Sequence, residues 1–345
     1  MNHNNLLLEI KELKTQFFLD EGVVRAVDGV DLEIGRGKTL GVVGESGCGK
    51  SVTALSILQL VPPPGRIVEG EIVLYRQSDQ KEPSPFVEQV KLTHLHPRSR
   101  QIRNIRGKEI SMIFQEPMTS LSPVHTVGNQ LIEVIRLHMN VDKKEARERA
   151  IEMLAQVGIP KPELRVDAYS FQLSGGMRQR AVIAIALACN PGLVIADEPT
   201  TALDVTTQAQ ILELMLELQG KRGMSIMLIT HDLGVVAEMA DDVAVMYLGH
   251  IVERGDVDSI FHDPKHPYTK ALLRSIPKIS PGVRQRLDTI RGMVPDPYNR
   301  PSGCPFHPRC DKFMPGTCDR IVPKRISLSK GREVRCLLYG GTDRE

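Results

Sequence analysis

The feature that most constrains this chain is a glycine-rich octapeptide between an apolar run and a helical pattern. The octapeptide fits G-x-x-x-x-G-K-[ST] and consists of Gly44, Glu45, Ser46, Gly47, Cys48, Gly49, Lys50 and Ser51. The apolar run at 39–43 predicts a buried strand, and the pattern at 52–60 predicts a helix. Glycines let successive backbone amides point at phosphate oxygens, and the helix N-terminus adds its positive dipole end. The octapeptide therefore predicts a nucleotide phosphate site, with Lys50 on the β- and γ-phosphates and Ser51 on Mg²⁺.

A second apolar run ends in two acids. Four apolar residues at 193–196 are followed by Asp197 and Glu198. Ligands bind at the carboxyl edge of a parallel sheet, where acids in this position would lie. Asp197 is placed to hold Mg²⁺ through water, and Glu198 is placed to act as general base on the attacking water. Together with the octapeptide, the two acids indicate a P-loop ATPase or GTPase.

The rest of the first 260 residues alternates short apolar runs with helical patterns. Runs at 193–196 and 226–229 predict buried strands, and the spacing of apolar residues over 146–157 and 211–218 predicts amphipathic helices. This alternation is typical of an α/β fold with a parallel sheet covered on both faces. The polar stretch at 76–97 predicts an inserted surface loop. Prolines become frequent after about residue 260, which predicts a domain boundary there.

Composition narrows the functional classes. The formal net charge is +2, from 44 basic and 42 acidic residues, so no global field steers the chain toward nucleic acid. The longest apolar run, 181–189, is too short to span a bilayer, and the amino terminus lacks a signal-peptide core. We therefore expect any membrane role to come from docking onto another protein. The basic stretch at 91–108 is either a patch for nucleic acid or lipid headgroups or a solvated face; we favour the solvated face, because aromatic residues for base stacking are absent.

Several ordered motifs give the chain a family resemblance. The decapeptide at 171–180 resembles the signature of ATP-binding cassette (ABC) ATPases, and it lies just upstream of the acidic run. Gln115 resembles the Q-loop residue of that family, 201–204 resembles its D-loop, and His231 resembles its switch histidine. With the phosphate loop and the acidic run, these motifs span about 190 residues in the order that the family requires. The resemblance implies a RecA-like P-loop core with a helical signature subdomain at about 116–190.

The resemblance also assigns roles to single residues. It implies that two such domains pack head-to-tail, each ATP lying between the phosphate loop of one and the signature of the other. Residues from Gly44 to Val52 would then contact ATP, Gln115 would contact Mg²⁺ and the attacking water, and His231 would contact the γ-phosphate. The residues expected at the partner's ATP are Ser174, Gly175, Gly176, Gln179 and Asp204. An adenine-stacking aromatic is expected near Phe17 and Phe18, although either side chain is equally compatible with the core.

Further segments resemble one subgroup of the family. The segments at 116–123, 266–273 and 303–310, and the Met-Arg pair at 177–178, are similar to the D-type ATPases of oligopeptide and dipeptide importers. The resemblance implies residues 1–260 as nucleotide-binding domain and 261–345 as C-terminal domain. It also implies a second, related ATPase chain, two membrane permease subunits and an extracytoplasmic binding protein, at the cytoplasmic face of the membrane. Import of oligosaccharides or of nickel or haem chelates remains an alternative, as does a soluble ABC ATPase acting on nucleic acid, although the chain shows no long coiled coil.

Four of the six cysteines lie in the tail, at Cys304, Cys310, Cys318 and Cys336. Four thiolates can hold Zn²⁺ or a [4Fe–4S] cluster, and unliganded thiols are the third alternative. Zinc sites favour C-x2–4-C pairs, which are absent here, so the spacing favours the cluster, as does the resemblance. Cys48 lies inside the phosphate loop, where we expect the positive surroundings to lower its thiol pKa; we assign it no catalytic role.

Overall fold

The computed structural model describes residues 5–77, 87–115, 120–201, 203–275, 290–329 and 331–340. The chain divides into two compact units. The first unit contains residues 1–8, 34–39 and 74–229, and the second contains residues 9–33, 40–73 and 230–345. Both units are built from segments that are distant in the sequence, so neither is a contiguous half of the chain.

The first unit contains three parallel strands in the order β8-β7-β6. Their bounds are Ile110–Ile113 (β6), Leu193–Asp197 (β7) and Ser225–Thr230 (β8), the last residue of β8 belonging to the second unit. Ile110 pairs with Leu193, and Leu193 pairs with Ser225. All residues of β7 and β8 are buried, as continuous apolar runs require in a parallel sheet with covered faces. This confirms the α/β prediction and places Asp197 at the carboxyl end of its strand.

Helices make up most of the remaining first unit. They are Arg100–Ile105 (α2), Val127–His138 (α3), Lys143–Gln156 (α4), Pro162–Arg165 (α5), Gly175–Leu187 (α6) and Val205–Arg222 (α7). Polar side chains begin several of them by accepting a backbone N–H of the first turn, which satisfies groups that have no partner within the helix. These N-cap residues are Ser99, Thr126, Asp142, Ser174 and Asp204.

The second unit contains five neighbouring strands in the order β11-β12-β10-β9-β3. Their bounds are Thr39–Val43 (β3), Asp242–Tyr247 (β9), His250–Asp256 (β10), Ile326–Ser329 (β11) and Arg332–Val334 (β12). β3 and β9 are parallel, with Leu40 opposite Asp242, whereas the other pairs are antiparallel. The helices of this unit are Lys50–Ile57 (α1), Leu233–Met239 (α8), Val257–His262 (α9) and Pro267–Arg274 (α10).

Tail residues share a core with the strands of the second unit. The buried aromatic side chains Tyr247, Tyr268 and Phe306 pack with Val43 and Val245, and Cys304 and Cys310 lie against the same cluster. The ring centroids of Tyr247 and Tyr268 are 4.7 Å apart, and that of Phe306 lies 5.3 Å from each. Tyr247 ends β9 and Tyr268 lies in α10. The prediction that α1 follows the phosphate loop is confirmed, with the helix beginning at Lys50 rather than at residue 52.

A second group of strands has the order β2-β1-β4-β5. Their bounds are Leu6–Leu19 (β1), Gly22–Gly35 (β2), Gly65–Gln77 (β4) and Val87–Lys91 (β5). The prediction of an inserted loop over 76–97 is wrong for the part that the structure describes. β5 and a short 3-10 turn at Leu92–His94 lie within it, and Val90 and Leu92 are buried. Buried Val90 in β5 and buried Leu92 in the turn after it anchor this segment within an otherwise polar stretch.

Within the described part of the chain, no helix combines the length and the apolar character needed to cross a membrane.

Candidate functional site

The phosphate loop lies between β3 and α1 of the second unit, in a backbone conformation that requires glycine. Gly44 and Gly49 have φ angles of 155° and 105°. A Cβ on Gly44 would collide with the carbonyl oxygen of Met246, and one on Gly49 would collide with that of Ala26. Ser46 and Gly47, by contrast, are exposed. The loop is therefore packed against protein on one side and open on the other, as a cradle for phosphate requires.

Lys50 and Cys48 lie on the buried side of this loop. The Lys50 ammonium donates hydrogen bonds to the carbonyl oxygens of Gly44 and Glu45, at 2.8 and 3.0 Å. The expectation that the loop lowers the pKa of Cys48 is wrong, because burial raises the pKa of this thiol more than nearby Lys50 lowers it. Cys48 is thus a buried, protonated side chain, in line with the absence of a catalytic assignment.

The loop offers the groups that Mg²⁺ and ATP phosphates need. Ser51 and Val52 form the start of α1 and are half-buried, and Thr53 anchors the turn by donating its hydroxyl to the Gly49 carbonyl oxygen at 3.0 Å. Mg²⁺ prefers oxygen ligands, and the Ser51 hydroxyl is one. The open, glycine-rich loop fits the phosphates of ATP, and the Ser51 hydroxyl oxygen fits Mg²⁺.

Sequence reasoning missed two residues that hold the loop. The guanidinium of Arg309 donates to both carboxylate oxygens of Glu45, at 2.6 and 2.9 Å. The Tyr268 hydroxyl accepts the backbone N–H of Glu45 at 2.9 Å. Both lie more than 200 residues from the loop in the sequence, and no local pattern links them to it. The only sequence feature that pointed to such a contact is the acid Glu45 inside an anion-binding loop, because its charge needs a counterion.

The acidic strand end lies in the first unit. Asp197 ends β7 and is buried. Glu198 follows with a φ angle of 47°, a sparsely populated conformation for a residue with a side chain. Its backbone N–H is bonded to the carbonyl oxygen of Ile229 at 2.8 Å, which holds the turn in place. The strain and the anchor together fix the direction in which the Glu198 side chain leaves the sheet.

The structure brings Glu198 and Gln115 together. The Gln115 amide donates to Oε2 of Glu198 at 3.0 Å, and the Thr201 hydroxyl donates to the same oxygen at 2.9 Å. Gln115 is exposed just after β6, whose register with β7 places it there. The predicted general base and the predicted water-contacting residue are thus direct neighbours.

The signature motif forms the N-terminus of α6. Ser174 is exposed and caps the helix, and Gly175 is exposed beside it. A Cβ on Gly176 would lie 2.8 Å from Cγ2 of Thr207, so a side chain there would require Thr207 to move. The first turn of α6 thus begins with two glycines, one of them exposed, and a helix N-terminus is an arrangement that binds anions.

Gln179 and Asp204 connect the signature to neighbouring motifs. The amide of Gln179 is fully buried and donates to the carbonyl oxygen of Pro199, directly after Glu198. Asp204 caps α7 by accepting the N–H and the hydroxyl of Thr207, at 3.0 and 2.7 Å, and these bonds lower its pKa. In this structure both side chains serve local packing, and their contact with nucleotide stays a prediction.

The remaining predicted residues lie in the second unit. His231 is exposed directly after β8, and Asp232 follows it as the N-cap of α8. Phe17 packs beside Gly65, where its ring would crowd any added Cβ, whereas Phe18 is more exposed and lies under the guanidinium of Arg66 at 4.2 Å. The cation over its face makes Phe18 a ring already engaged in stacking. Which aromatic stacks on adenine stays open.

The four tail cysteines lie in one region of the second unit as free thiols. The N–H of Cys304 donates to the carbonyl oxygen of Cys318 at 2.8 Å. Burial raises the pKa of Cys304 and Cys310 to about 11, and neighbouring tail thiols raise it further. Across the described residues, no group of three or more His, Cys, Asp or Glu side chains is arranged to hold a metal ion. The thiols are therefore close enough to interact electrostatically without forming a ready single-ion site.

Two known protein families match different parts of this chain. The family described as ABC transporter matches residues 27–201, and the family described as oligopeptide/dipeptide transporter, C-terminal region, matches residues 252–318. The dimeric ATP-binding cassette MJ0796 in a post-hydrolysis state bound to ADP and Pi superimposes with a TM-score of 0.61 at 26% identity, over 73% of this chain and 99% of that one. Fold and motifs define a P-loop ATPase of the cassette type.

Full-length relatives make the assignment narrower. The oligopeptide transport ATP-binding protein AppD of Bacillus subtilis is 52% identical over 96% of this chain and 97% of its own length. The dipeptide transport ATP-binding protein DppD of Escherichia coli is 46% identical over 96% of both chains. The chain belongs to the ABC transporter family, as an ATP-hydrolysing subunit with the C-terminal region of the oligopeptide/dipeptide group.

Proposed function

We propose that this chain powers the import of dipeptides or oligopeptides by hydrolysing ATP. The observation that carries the proposal is the combination, in one chain, of the cassette at 27–201 with the oligopeptide/dipeptide C-terminal region at 252–318. AppD and DppD, which match this chain along nearly its whole length, are an oligopeptide and a dipeptide transport ATP-binding protein and support the same function. The proposal places the chain at the cytoplasmic face of the membrane, held there by its partners.

In the proposed reaction, water attacks the γ-phosphate in line with the leaving ADP. Glu198 takes the proton of this water, Gln115 orients the water, and His231 contacts the γ-phosphate and stabilises the transition state. Lys50 neutralises charge on the β- and γ-phosphates. The hydrogen bond from Gln115 to Glu198 supports this pairing of roles, because one water can be held by both groups.

Magnesium has its ligands among oxygen-bearing side chains. Ser51, Gln115 and Asp197 are the residues that would hold Mg²⁺, which supplies positive charge against the phosphate oxygens when bound. The open side of the phosphate loop supports this assignment for Ser51.

The signature residues would act on the ATP of a second ATPase subunit. Ser174, Gly175 and Gly176 lie at the start of α6, and the exposure of Ser174 and Gly175 leaves this helix end accessible to the nucleotide of another subunit. The proposed partner is a related but distinct chain. Asp204, at the start of the next helix, and Gln179, which supports the turn after Glu198, belong to the same proposed interface.

An exposed apolar group supports docking onto two membrane permease subunits. Val124 and Phe171 are 73% and 65% exposed, and the Phe171 ring stacks on that of Tyr169 at 5.5 Å. Thr126 and Tyr169 form a β-bridge, which places these residues beside one another in the first unit, after the Q-loop. Exposed apolar patches of this kind mark interaction sites. An extracytoplasmic binding protein would deliver the peptide to the permease.

We assign a [4Fe–4S] cluster to the tail as part of this proposal, with Cys304, Cys310, Cys318 and Cys336 as ligands. The support is the donor set, four thiols gathered in one region of a proline-rich, core-poor segment. Four thiolates can hold a [4Fe–4S] cluster or Zn²⁺, and the spacing of the cysteines, without a C-x2–4-C pair, favours the cluster. The cluster would stabilise the fold of the tail.

Reconstitution tests the transport proposal. The chain is purified with its membrane subunits and second ATPase, placed in proteoliposomes, and supplied with binding protein and a labelled dipeptide, pentapeptide, trisaccharide, nickel chelate or haem. ATP-dependent uptake of peptide, lost in a Glu198→Gln complex, is the expected result. Uptake of only the sugar or a chelate would contradict the peptide assignment. Recovery of the chain bound to nucleic acid and without membrane subunits would contradict its assignment to an importer.

The cluster is tested on the same preparation. Anaerobic assays of iron, sulfide and zinc should give about four irons per chain, lost in Cys310→Ser and retained in Cys189→Ser, which removes a buried thiol outside the tail. Zinc alone, or no metal, would overturn the cluster assignment and leave the transport assignment standing.

A further inference from the structure

The phosphate loop of this chain contains a negative charge where it must bind a polyanion. Glu45 is the first residue after Gly44, and its carbonyl oxygen accepts a hydrogen bond from the phosphate-binding Lys50. An unpaired carboxylate at this point would repel the phosphates of ATP. The loop can bind ATP well only if another group neutralises Glu45 and keeps its side chain away from the phosphates.

Arg309 of the tail meets both requirements. Its two terminal nitrogens each donate to a different oxygen of Glu45, so the ion pair is bidentate, which fixes direction as well as charge. The Arg309 side chain is only 4% exposed. Its third nitrogen donates to the carbonyl oxygen of Arg291 at 3.1 Å, and its guanidinium lies 5.8 Å from the centre of the Tyr247 ring. Hydrogen bonds from all three of its nitrogens therefore fix the position of the guanidinium.

The backbone of the loop is held from the same side. Tyr268 accepts the N–H of Glu45, and its ring is fully buried against Tyr247 and Phe306. Arg309 ends a single 3-10 turn at His307–Arg309, which follows Phe306 and lies between Cys304 and Cys310. The short tail segment that carries two of the four tail cysteines thus also holds the side chain of Glu45 directly.

We infer that Arg309 is a positioning residue for ATP binding, which neutralises Glu45 and thereby couples the tail to the phosphate loop. The tail is then required for nucleotide affinity as well as for its own fold. The inference rests on the ATPase class of the chain and is independent of the transported substrate and of the cluster.

The test is a double-mutant cycle on the full transporter complex, with kcat and KM for ATP measured separately. Arg309→Ala should raise KM about ten-fold, the effect of losing hydrogen bonds to a charged group, with a much smaller change in kcat. In the Glu45→Gln background, the same substitution should raise KM less than about three-fold, because no uncompensated carboxylate remains. Arg309→Lys keeps the charge without the bidentate geometry and should give an intermediate KM that Glu45→Gln again reduces.

A second tail arginine provides the control. The Arg332 side chain is 13% exposed and donates to Asp263 at 3.1 Å rather than to Glu45. Arg332→Ala should lower the melting temperature with KM unchanged. An equal rise in KM for Arg309→Ala and Arg332→Ala, or a rise for Arg309→Ala that persists in full with Glu45→Gln, would overturn the inference. If Arg309→Ala does not fold, the same double-mutant cycle is measured with Arg309→Lys. A rise in KM that does not depend on Glu45, or no rise in KM, then overturns the inference.

Discussion

Two glutamates occupy nucleotide motifs of this chain, and their surroundings differ in kind. Glu198 accepts hydrogen bonds from two neutral groups, the Gln115 amide and the Thr201 hydroxyl, on a strained turn at the end of β7. Glu45 is paired with the guanidinium of Arg309, which satisfies both its oxygens. The two neutral donors orient the carboxylate of Glu198 without cancelling its charge, so it can still accept a proton. The bidentate guanidinium cancels the charge of Glu45. The same type of side chain is thus the proposed base in one unit and an anchoring point in the other.

Glu198→Gln gives the largest expected effect. Removing a general base costs about 10²- to 10⁴-fold in rate, whereas the amide keeps the size and the hydrogen bonding of the side chain. We expect kcat to fall by that factor, with ATP binding retained. Single-turnover phosphate release and equilibrium binding of labelled ATP separate the two quantities.

Glu217→Gln on α7 is the matched control, because it removes a carboxylate that is paired only at the surface with Lys221. It should leave kcat at the wild-type value. Hydrolysis at the wild-type rate in Glu198→Gln would show that Glu198 is not the base and would remove the contrast between the two glutamates.

The phosphate loop depends on its backbone more than on any side chain, and Gly49→Ala tests this. At φ 105° an alanine is strained, and its Cβ would collide with the Ala26 carbonyl oxygen. Strain and overpacking together should cost about 2–5 kcal/mol of unfolding free energy, with ATP binding lost. Gly47→Ala shares the positive φ, but its Cβ meets no described atom within 4 Å, so it should cost only about 1 kcal/mol. Urea unfolding of both variants gives the difference, and equal costs would show that crowding is irrelevant.

Much of the fold could be predicted from local patterns. Continuous apolar runs gave β3, β7 and β8 with their bounds almost unchanged, since fully buried parallel strands leave no room for polar residues. The stretch at 87–97 was misjudged, because Val90 and Leu92 are two buried residues in a polar background, too few to produce a visible period.

The site was predictable where chemistry lies within a motif and not where it comes from long-range contacts. Gly44 to Ser51, Asp197 and Glu198 are recognisable because phosphate binding and hydrolysis need those residue types at that spacing. Arg309 and Tyr268 are determined by packing across more than 200 residues of sequence. Cys48 shows the same limit, since motif chemistry suggested a lowered pKa and burial, which only the structure shows, raises it.

Lowering the pH should destabilise the fold that supports Glu45, because His266 becomes protonated when the chain unfolds. This fully buried side chain caps α10, the helix of Tyr268, by accepting the Tyr268 N–H at 3.0 Å, and burial lowers the pKa of His266 to about 3. The unfolded chain, with an ordinary pKa near 6.5, binds the proton first. Stability is therefore complete above about pH 6.5 and falls as the pH drops toward 3, by on the order of 1 kcal/mol between pH 7.5 and 5.5.

His266→Asn keeps an N-cap acceptor without a titrating group and should remove this part of the pH dependence. Urea unfolding at both pH values measures it in each chain. Buried Glu253 accepts the backbone N–H of residue 266 and has a raised pKa. It is present in both chains, so its contribution to the pH dependence cancels in the comparison. An unchanged pH dependence in the variant would exclude His266 as the group responsible.

Tyr268→Phe gives the smallest expected effect and separates the two contacts that hold Glu45. The substitution keeps the ring among Tyr247 and Phe306 and removes only the acceptor of the Glu45 N–H, so a single buried hydrogen bond of about 0.5–1.5 kcal/mol is lost. We expect a small drop in melting temperature and a rise in the KM for ATP well below that of Arg309→Ala, measured on the same complex. If Tyr268→Phe instead raised KM as much as Arg309→Ala does, placement of the loop backbone would matter as much as neutralising Glu45. Glu45 and Glu198 would then differ less in their charge than in how firmly each is positioned.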